Sequence, residues 1–220
     1  MPSVWYVSLM RSTLEPQPSS VRRTQQQRRD STRSTLLAAA TAMVLGSGPS
    51  TSIAEIAEQA GVSKGALQHH FDSKSDLLAA VVAAGWDELV EHSAPTLHAS
   101  SPPAVRVGAL VRGTWDSFRR PACQAAFMIS SDPNIEPELA DRLNPVFESA
   151  RRRLDQIWND AFADLGISDE RTARARRFVR SHLLGMLVQR QLPSEEPAPD
   201  DELSILCEAT LQVLTAPEPR

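Results

Sequence analysis

Residues 52–71 read SIAEIAEQAGVSKGALQHHF, and this segment carries more structural information than any other part of the chain. Ser52 stands at a helix N-cap position, and Glu55 three residues later completes a capping box. Gly61 stands where a helix can end in a left-handed residue. Ser63 is a second N-cap. The segment therefore predicts two short helices joined by a tight turn.

The inner face of this helix pair is apolar, and Ala57 places a small residue where the two helices cross. The apolar positions are Ile56, Ala60, Val62 and Leu67. This is the layout of a DNA-binding helix-turn-helix. An ordinary helical hairpin is the alternative, but a hairpin has no need to keep both caps, the alanine and the turn glycine in register.

Helices are predicted on both sides of this segment. Apolar residues from Leu36 to Val44 recur at helical spacing until the sequence GSGP at 46–49 ends the pattern. Asp72-Ser73 starts a fourth helix, and further helices are expected at about 104–120, 122–130, 138–164, 169–191 and 200–214. No segment shows the alternation of a strand, so the predicted fold class is all-α.

The predicted domains are a disordered basic arm (1–28), a helix-turn-helix DNA-binding domain (29–74) and a second helical domain (75–220). The arm is rich in Ser, Gln, Pro and Arg and carries Arg22, Arg23, Arg28 and Arg29. Up to Lys74 the chain has eight basic and five acidic side chains, and beyond it 15 and 22. A basic front and an acidic back suit a protein whose front end meets a polyanion, although chance asymmetry is the alternative.

Several other classes of protein find little support. Cys123 and Cys207 form no metal or redox motif, which fits a reducing cytosol, and no apolar run reaches the length of a membrane span. Residues 1–10 make a poor signal peptide and are read as disordered or as an extension upstream of the true start. No nucleophile with a base, phosphate loop or set of metal ligands is recognisable, and Glu195-Glu196 lies in a proline-rich linker. Neither an enzyme nor a cofactor or metal is therefore expected.

The segment resembles the tetracycline-repressor (TetR) family of regulators. The matching residues are IAEIA at 53–57, AGVSKG at 60–65, Leu67, His70-Phe71, Ser73-Lys74 and Leu77-Leu78, within about Arg29 to Leu78. Gln68 departs from the pattern, because the family usually has a tyrosine there. The resemblance implies an N-terminal three-helix DNA-binding domain followed by a helical ligand-binding and dimerisation domain.

On this resemblance the third helix enters the major groove of DNA. Ala66, Gln68 and His69 are expected to face bases, since glutamine can bond adenine and a methyl group can meet thymine. Phosphate contacts are expected from Ser52, Ser63, His70 and Lys74. Lys64 and Gly65 complete the predicted DNA-binding set. The arm arginines are expected either to contact the DNA or to form a solvated tail.

One helix-turn-helix reads few base pairs, so a homodimer on a near-palindromic operator is expected, formed through the last two helices. Two stripes are predicted for that surface. They are Phe178, Val179, His182, Gly185, Met186 and Gln189, and Leu203, Leu206, Thr210, Leu211 and Leu214. The alternative is that both stripes face their own core.

The middle helices carry bulky side chains that predict either an effector pocket or plain core. They are Trp115, Phe127, Met128, Phe147, Trp158 and Met186. A pocket so lined would suit a largely apolar small molecule that releases a repressor from its operator. A regulator controlled by a protein partner, an activator and a non-specific DNA-binding protein remain alternatives. With any of these functions, the protein is expected in the cytoplasm.

Overall fold

The computed structural model describes residues 24–93, 100–189 and 199–216, and it confirms an all-α fold with no strand in those ranges. In chain order the helices are α1 (Gln25–Ser47), α2 (Ile53–Gln59), α3 (Lys64–Gln68), α4 (Lys74–His92), α5 (Pro103–Phe118), α6 (Pro121–Ser130), α7 (Pro137–Phe162), α8 (Asp169–Gln189) and α9 (Pro199–Thr215). A 3₁₀ turn at Ala163–Leu165 follows α7. Among the described helices, none combines the length and apolar character needed to cross a bilayer.

The chain divides into two units, residues 1–34 and 35–220, and the described part of the first is Thr24 and the start of α1. The Gln27 N–H donates to Thr24 Oγ1 at 3.2 Å, and the Thr24 N–H donates to Gln27 Oε1 at 2.9 Å. This reciprocal cap starts α1 at Gln25, inside the segment 1–28 predicted to be disordered. The prediction missed these residues because a polar helix start has no apolar periodicity. Arg28 and Arg29 are exposed on α1, while Arg22 and Arg23 lie outside the described residues.

A first hydrophobic cluster within residues 35–220 joins α1, α2 and α3 to the first half of α4 and to α6 and α7. Its fully buried side chains include Leu36, Val44, Ile56, Leu67, Leu77, Val82, Ala125 and Ile129. The helix-turn-helix therefore shares its core with later helices. The boundary predicted at residue 74 coincides with the start of α4 but not with a break in that core.

A second hydrophobic cluster joins the last part of α4 to α5, the start of α6, α7, α8 and α9. Leu89 and Val90 of α4 belong to it, whereas Leu77 to Val82 belong to the first cluster, and Trp86 packs against both. Helix α4 is therefore shared by the two clusters, as are α6 and α7, since Cys123 and Ala150 belong to the second cluster and Ala125 and Leu143 to the first. Gly85 allows α6 to approach it closely, because an added Cβ there would lie 2.5 Å from the Ala122 carbonyl oxygen.

Most of the apolar stripe predicted to form the dimer surface is core of this chain. The side chains buried in the second cluster or beside it are Val179, Met186, Leu203, Leu206, Thr210 and Leu214. The prediction was wrong for these residues, because helical periodicity identifies a buried face without saying which chain buries it. Phe178, His182, Gly185 and Gln189 are exposed, and Leu211 is half-buried.

Arg106 of α5 is a buried cation that holds the end of α7. Its guanidinium donates to the Ala161 carbonyl at 2.6 Å and to both carboxylate oxygens of Asp164 at 2.5 and 3.0 Å. It also lies 5.6 Å from the centre of the Phe162 ring. Because an arginine near a helix C-terminus satisfies carbonyls that have no helical partner, this contact stabilises both the helix end and the packing of α5 on α7.

Candidate nucleic-acid interface

The start of α2 forms the predicted capping box. The Glu55 N–H donates to Ser52 Oγ at 3.3 Å, and the Ser52 N–H donates to Glu55 Oε2 at 2.8 Å. The hydrogen bond from the Ser52 backbone, followed by that from its side chain, holds the pKa of Glu55 below its ordinary value. Because the carboxylate is engaged with the helix N-terminus, it orients α2 rather than acting as a free group on the surface.

The turn between α2 and α3 depends on Gly61. Its N–H donates to the Glu58 carbonyl at 3.0 Å, and the N–H of Val62 donates to the Ala57 carbonyl at 3.0 Å. These two bonds form a Schellman motif, which requires a left-handed residue between them. Gly61 supplies it with a φ of 67°. The chain is thereby turned within four residues from the end of α2 to Ser63, the N-cap of α3.

Helix α3 separates an inner from an outer face. Leu67 is completely buried in the first cluster, which fixes how the helix is rotated. At 100° per residue, Gly65 and His69 lie almost opposite Leu67, and Gln68 and Ala66 lie on the two flanks. Gly65, Gln68, His69 and Lys64 are exposed, and Ala66 is half-buried. The outer face thus presents the imidazole of His69 beside a residue without a side chain, with the Gln68 amide on one flank, while Lys64 starts about 60° from Leu67 and nearer to the buried side.

The remaining predicted DNA contacts surround this face in the sequence and differ in exposure. Ser52 and Ser63 are exposed, and their hydroxyl oxygens already accept backbone N–H groups. The Ser63 hydroxyl hydrogen is left able to donate to a phosphate, whereas the Ser52 hydroxyl also bonds the Glu55 carboxylate. Lys74 at the start of α4 and His70 after α3 are half-buried. Residues 52–74 contain two lysines and three carboxylates, so this segment is not itself a basic patch.

An apolar cavity of about 90 Å³ lies beside the middle of α4. Helices α4, α5, α6 and α8 line it, with Trp86 and Leu89, Phe118, Phe127, and Leu184 and Leu187 as the large apolar side chains. Arg180 of α8 is also part of its wall. A smaller cleft of about 20 Å³ shares Trp86, Leu89, Phe118 and Arg180 with the cavity.

The six side chains predicted for a pocket are not brought together. Phe127 lines the cavity and Trp158 lines the smaller cleft. Trp115 and Met186 are buried in the second cluster, and Met128 and Phe147 pack against the first. Sequence reasoning missed Trp86 and Arg180 as cavity residues, because neither stands out from the helical pattern until α4 and α8 are placed side by side.

Comparisons with known proteins agree with this arrangement. The sequence model of bacterial regulatory proteins of the tetR family matches residues 36–81, which span α2, α3 and parts of α1 and α4. The HTH-type transcriptional activator FasR of Mycolicibacterium smegmatis is 28% identical over 144 residues, which is 65% of this chain and 64% of FasR. The aligned part therefore spans slightly less than two thirds of that relative.

Two further likenesses extend beyond the matched segment. The HTH-type transcriptional regulator CymR of Pseudomonas putida is 26% identical over 68% of this chain and 74% of CymR. The crystal structure of a transcriptional regulator from Rhodococcus sp. Rha1 superposes with a TM-score of 0.65 at 20% identity, covering 83% of this chain and 95% of that one, and so shares the fold. Residues 36–81 therefore match the tetR family of bacterial regulatory proteins, and over most of its length the chain shares the fold of a solved transcriptional regulator.

Proposed function

We propose that this chain is a sequence-specific transcriptional regulator that inserts α3 into the major groove of DNA. The observation that carries the proposal is the division of α3 into a buried side fixed by Leu67 and an outer side of Gly65, Gln68 and His69. Because its buried side is fixed in the core, α3 presents its outer side at a fixed depth in the groove of a bound DNA. A protein with this function would act on the chromosome and therefore in the cytoplasm.

The exposed groups suit a division between base and phosphate contacts. Gln68 can bond adenine through N6 and N7, and His69 can donate to or accept from a base edge. Ala66 is half-buried, so only its methyl edge is available to a thymine methyl group. Ser52, Ser63, Lys64, His70 and Lys74 are assigned to phosphates, which fix register without reading sequence.

A homodimer through α8 and α9 is part of the proposal. Phe178, Val188 and Ile205 are large apolar side chains that are 39%, 46% and 65% exposed on these two helices. Gly185 lies on the same side of α8 as Phe178, and an added Cβ there would meet nothing within 4 Å. Because this glycine is not required by the packing of its own chain, it fits the close approach of a second helix. Two copies would read the half-sites of a near-palindromic operator.

We further propose that a small apolar molecule in the cavity controls DNA binding. The cavity touches α4, which shares its first half with the helix-turn-helix cluster, and α8, which carries the dimer surface. An occupant that shifts either helix would change the spacing of the two copies of α3. Release of a repressor is the simplest outcome, while the name of FasR as an activator keeps activation as the second candidate.

Fluorescence anisotropy on the DNA upstream of the chain's own gene tests the DNA-binding part, with scrambled DNA of equal length at the same salt concentration. We expect at least about a thousandfold preference for the specific fragment. Gln68→Ala should reduce that preference, whereas Gln59→Ala, an exposed glutamine at the end of α2, should retain it.

Equal binding of both DNAs would leave the choice of promoter open, so a random-site selection with purified protein follows. If that selection also returned no motif, the chain would not be a sequence-specific regulator. Gel filtration coupled to light scattering tests the dimer in the same preparations. A monomeric parent protein, or a dimer that Phe178→Arg leaves intact, would contradict the α8–α9 surface.

A further inference from the structure

We propose that the molecule taken by the cavity is a small monoanion, with a short apolar tail or a single ring in the cavity and a carboxylate on Arg180. This inference rests on the proposed effector site and specifies the chemical class of its ligand. It is carried by the contrast between an apolar wall and one cation without a partner in that wall.

Arg180 is the charged residue among the described residues that line the cavity. Within the described part of the chain it forms no hydrogen bond or ion pair, unlike Arg174 and Arg176 on the same helix. Arg176, one turn earlier on α8, pairs with Asp155 at 2.7 Å, and Arg174 pairs with Glu170 at 3.1 Å. Arg180 is exposed to solvent, so its guanidinium donors are available to a group that is not part of this chain and that reaches the cavity from outside.

The acidic side chains of α4 beside the cavity are already neutralised. Glu88 pairs with Arg120 from the turn before α6, and Asp87 pairs with Arg153 of α7. Asp155 pairs with Arg176. Since each of these carboxylates has an arginine of its own, the charge of Arg180 is left over, and an anionic ligand is the group that would neutralise it.

The other polar atoms of the wall are occupied. The Ser130 hydroxyl donates to the Ala126 carbonyl at 2.6 Å, and the Cys123 thiol donates to the Gly85 carbonyl at 3.1 Å. Burial raises the pKa of Cys123 to about 12, so this thiol is neutral and adds no competing negative charge. A planar guanidinium offers two parallel N–H donors, which match the two oxygens of a carboxylate.

Position and size set the remaining features of the ligand. Arg180, Leu184 and Leu187 lie on the side of α8 away from Phe178, so the proposed dimer surface leaves them uncovered. The volume of about 90 Å³ is smaller than the roughly 150 Å³ cavity that accepts benzene in another protein. The tail is therefore a few carbon atoms, or one ring accommodated by movement of the half-buried Phe127 at the wall.

The test compares acids with their neutral amides on the full chain by isothermal titration calorimetry at fixed ionic strength. The probes are butanoate, hexanoate and benzoate against butanamide, hexanamide and benzamide. In the unaltered protein we expect at least one acid to bind about tenfold tighter than its amide, as a charge-assisted bidentate pair allows. Arg180→Gln should reduce that ratio to about threefold or less, whereas Arg177→Gln, an exposed arginine outside the cavity wall, should keep it.

A second variant distinguishes binding in the cavity from binding to the protein surface. Ser130→Leu places a larger apolar side chain in the wall and should weaken binding of acid and amide alike, while circular dichroism shows the same helical content. Equal affinity of acids and amides would overturn the proposal, as would a ratio retained in Arg180→Gln or no binding of any acid up to about 10 mM. The same preparations are assayed for specific DNA binding. If they read DNA but bind none of the acids, the ligand class is wrong and the proposed regulator stands.

Discussion

Replacing Gly65 by alanine should make the protein more stable and a poorer DNA binder, and this divergence tests the assignment of the outer face of α3. Gly65 is exposed, and an added Cβ would meet only Ser63 Oγ, at 3.9 Å. Its φ is not in the left-handed region. Nothing in the folded chain therefore requires a glycine at this position.

The effect on stability follows from the backbone. A glycine within a helix costs about 0.5–1 kcal/mol relative to alanine, because glycine loses more conformational freedom on folding. For a chain of about this size, 1 kcal/mol corresponds to roughly 2–4 °C in Tm. Gly65→Ala should therefore raise Tm by about 1–4 °C.

The effect on DNA binding has the opposite sign. Gly65 lies almost opposite the buried Leu67, so in the proposed complex the new methyl group points at the floor of the groove. Overpacking a close interface costs about 1–3 kcal/mol for each copy. With two copies, a loss of about 2 kcal/mol or more weakens operator binding by at least roughly 30-fold.

Differential scanning fluorimetry and operator anisotropy on the same preparations measure both effects. Gly46→Ala is the matched control, because Gly46 is also exposed, helical and free of neighbours within 4 Å. It should stabilise the protein without weakening DNA binding. A lower Tm for Gly65→Ala would show that α3 is packed differently. An unchanged operator affinity would refute close approach of this face to DNA.

Four further outcomes are expected. Arg106→Met keeps the apolar packing over Phe162 but loses the bonds to Ala161 and Asp164, so urea unfolding should show a loss of about 1–3 kcal/mol. Hydrogen bonding from Arg106 lowers the pKa of Asp164 below its ordinary 3.8, so this carboxylate stabilises the fold above that pH and ceases to do so as the pH falls through the lower folded value. Arg106→Met should therefore flatten the dependence of Tm on pH below about 4. If Tm of this variant fell with pH as steeply as that of the parent protein, the pairing of Arg106 with Asp164 would be contradicted. Gly85→Ala places a Cβ 2.5 Å from a carbonyl oxygen of α6, so urea unfolding should show a free energy of unfolding that is lower by about 1–3 kcal/mol. A stability equal to that of the parent protein would mean that α4 and α6 are further apart. Lys64→Ala should weaken binding to specific and to scrambled DNA by the same factor and reduce the salt slope of binding by about 1 per protomer. A loss of affinity for the operator alone would instead place Lys64 at a base. Burial raises the pKa of both thiols, and that of Cys123 to about 12. A thiol reagent at pH 8 should therefore modify the half-buried Cys207 first and Cys123 only as the chain unfolds. Rapid modification of both thiols would contradict the burial of Cys123.

The helix-turn-helix was predictable residue by residue because its signals are local. A capping box requires particular side chains three residues apart, and a Schellman turn requires a residue that accepts a positive φ. Ser52, Glu55, Gly61 and Ser63 meet these requirements, and the structure uses each as predicted. The contacts with DNA stay predictions, since exposure alone does not say which groups meet a base.

The second half of the chain was predictable only as helices. Periodicity marks the buried side of α9, but Leu206 and Leu214 have the same pattern whether their own chain or a partner buries them. The cavity depends on which residues of α4 and α8 meet across almost a hundred positions of sequence. Arg180 looks like its neighbours Arg174 and Arg176 until the carboxylate partners of those two are known.

The two proposals are linked by α4, and the link has a thermodynamic consequence that either measurement can check. The first half of α4 is packed with the helix-turn-helix and its last part with the second cluster, and the cavity lies beside Gly85, Trp86 and Leu89 between them. A ligand that prefers one position of this helix must alter DNA affinity by a certain factor. Because coupling free energy is reciprocal, operator DNA must alter the ligand affinity by the same factor. If an acid bound through Arg180 lowers operator affinity, saturating operator must weaken that acid equally. Unequal factors would mean that the acid acts at another site on the protein or on the DNA.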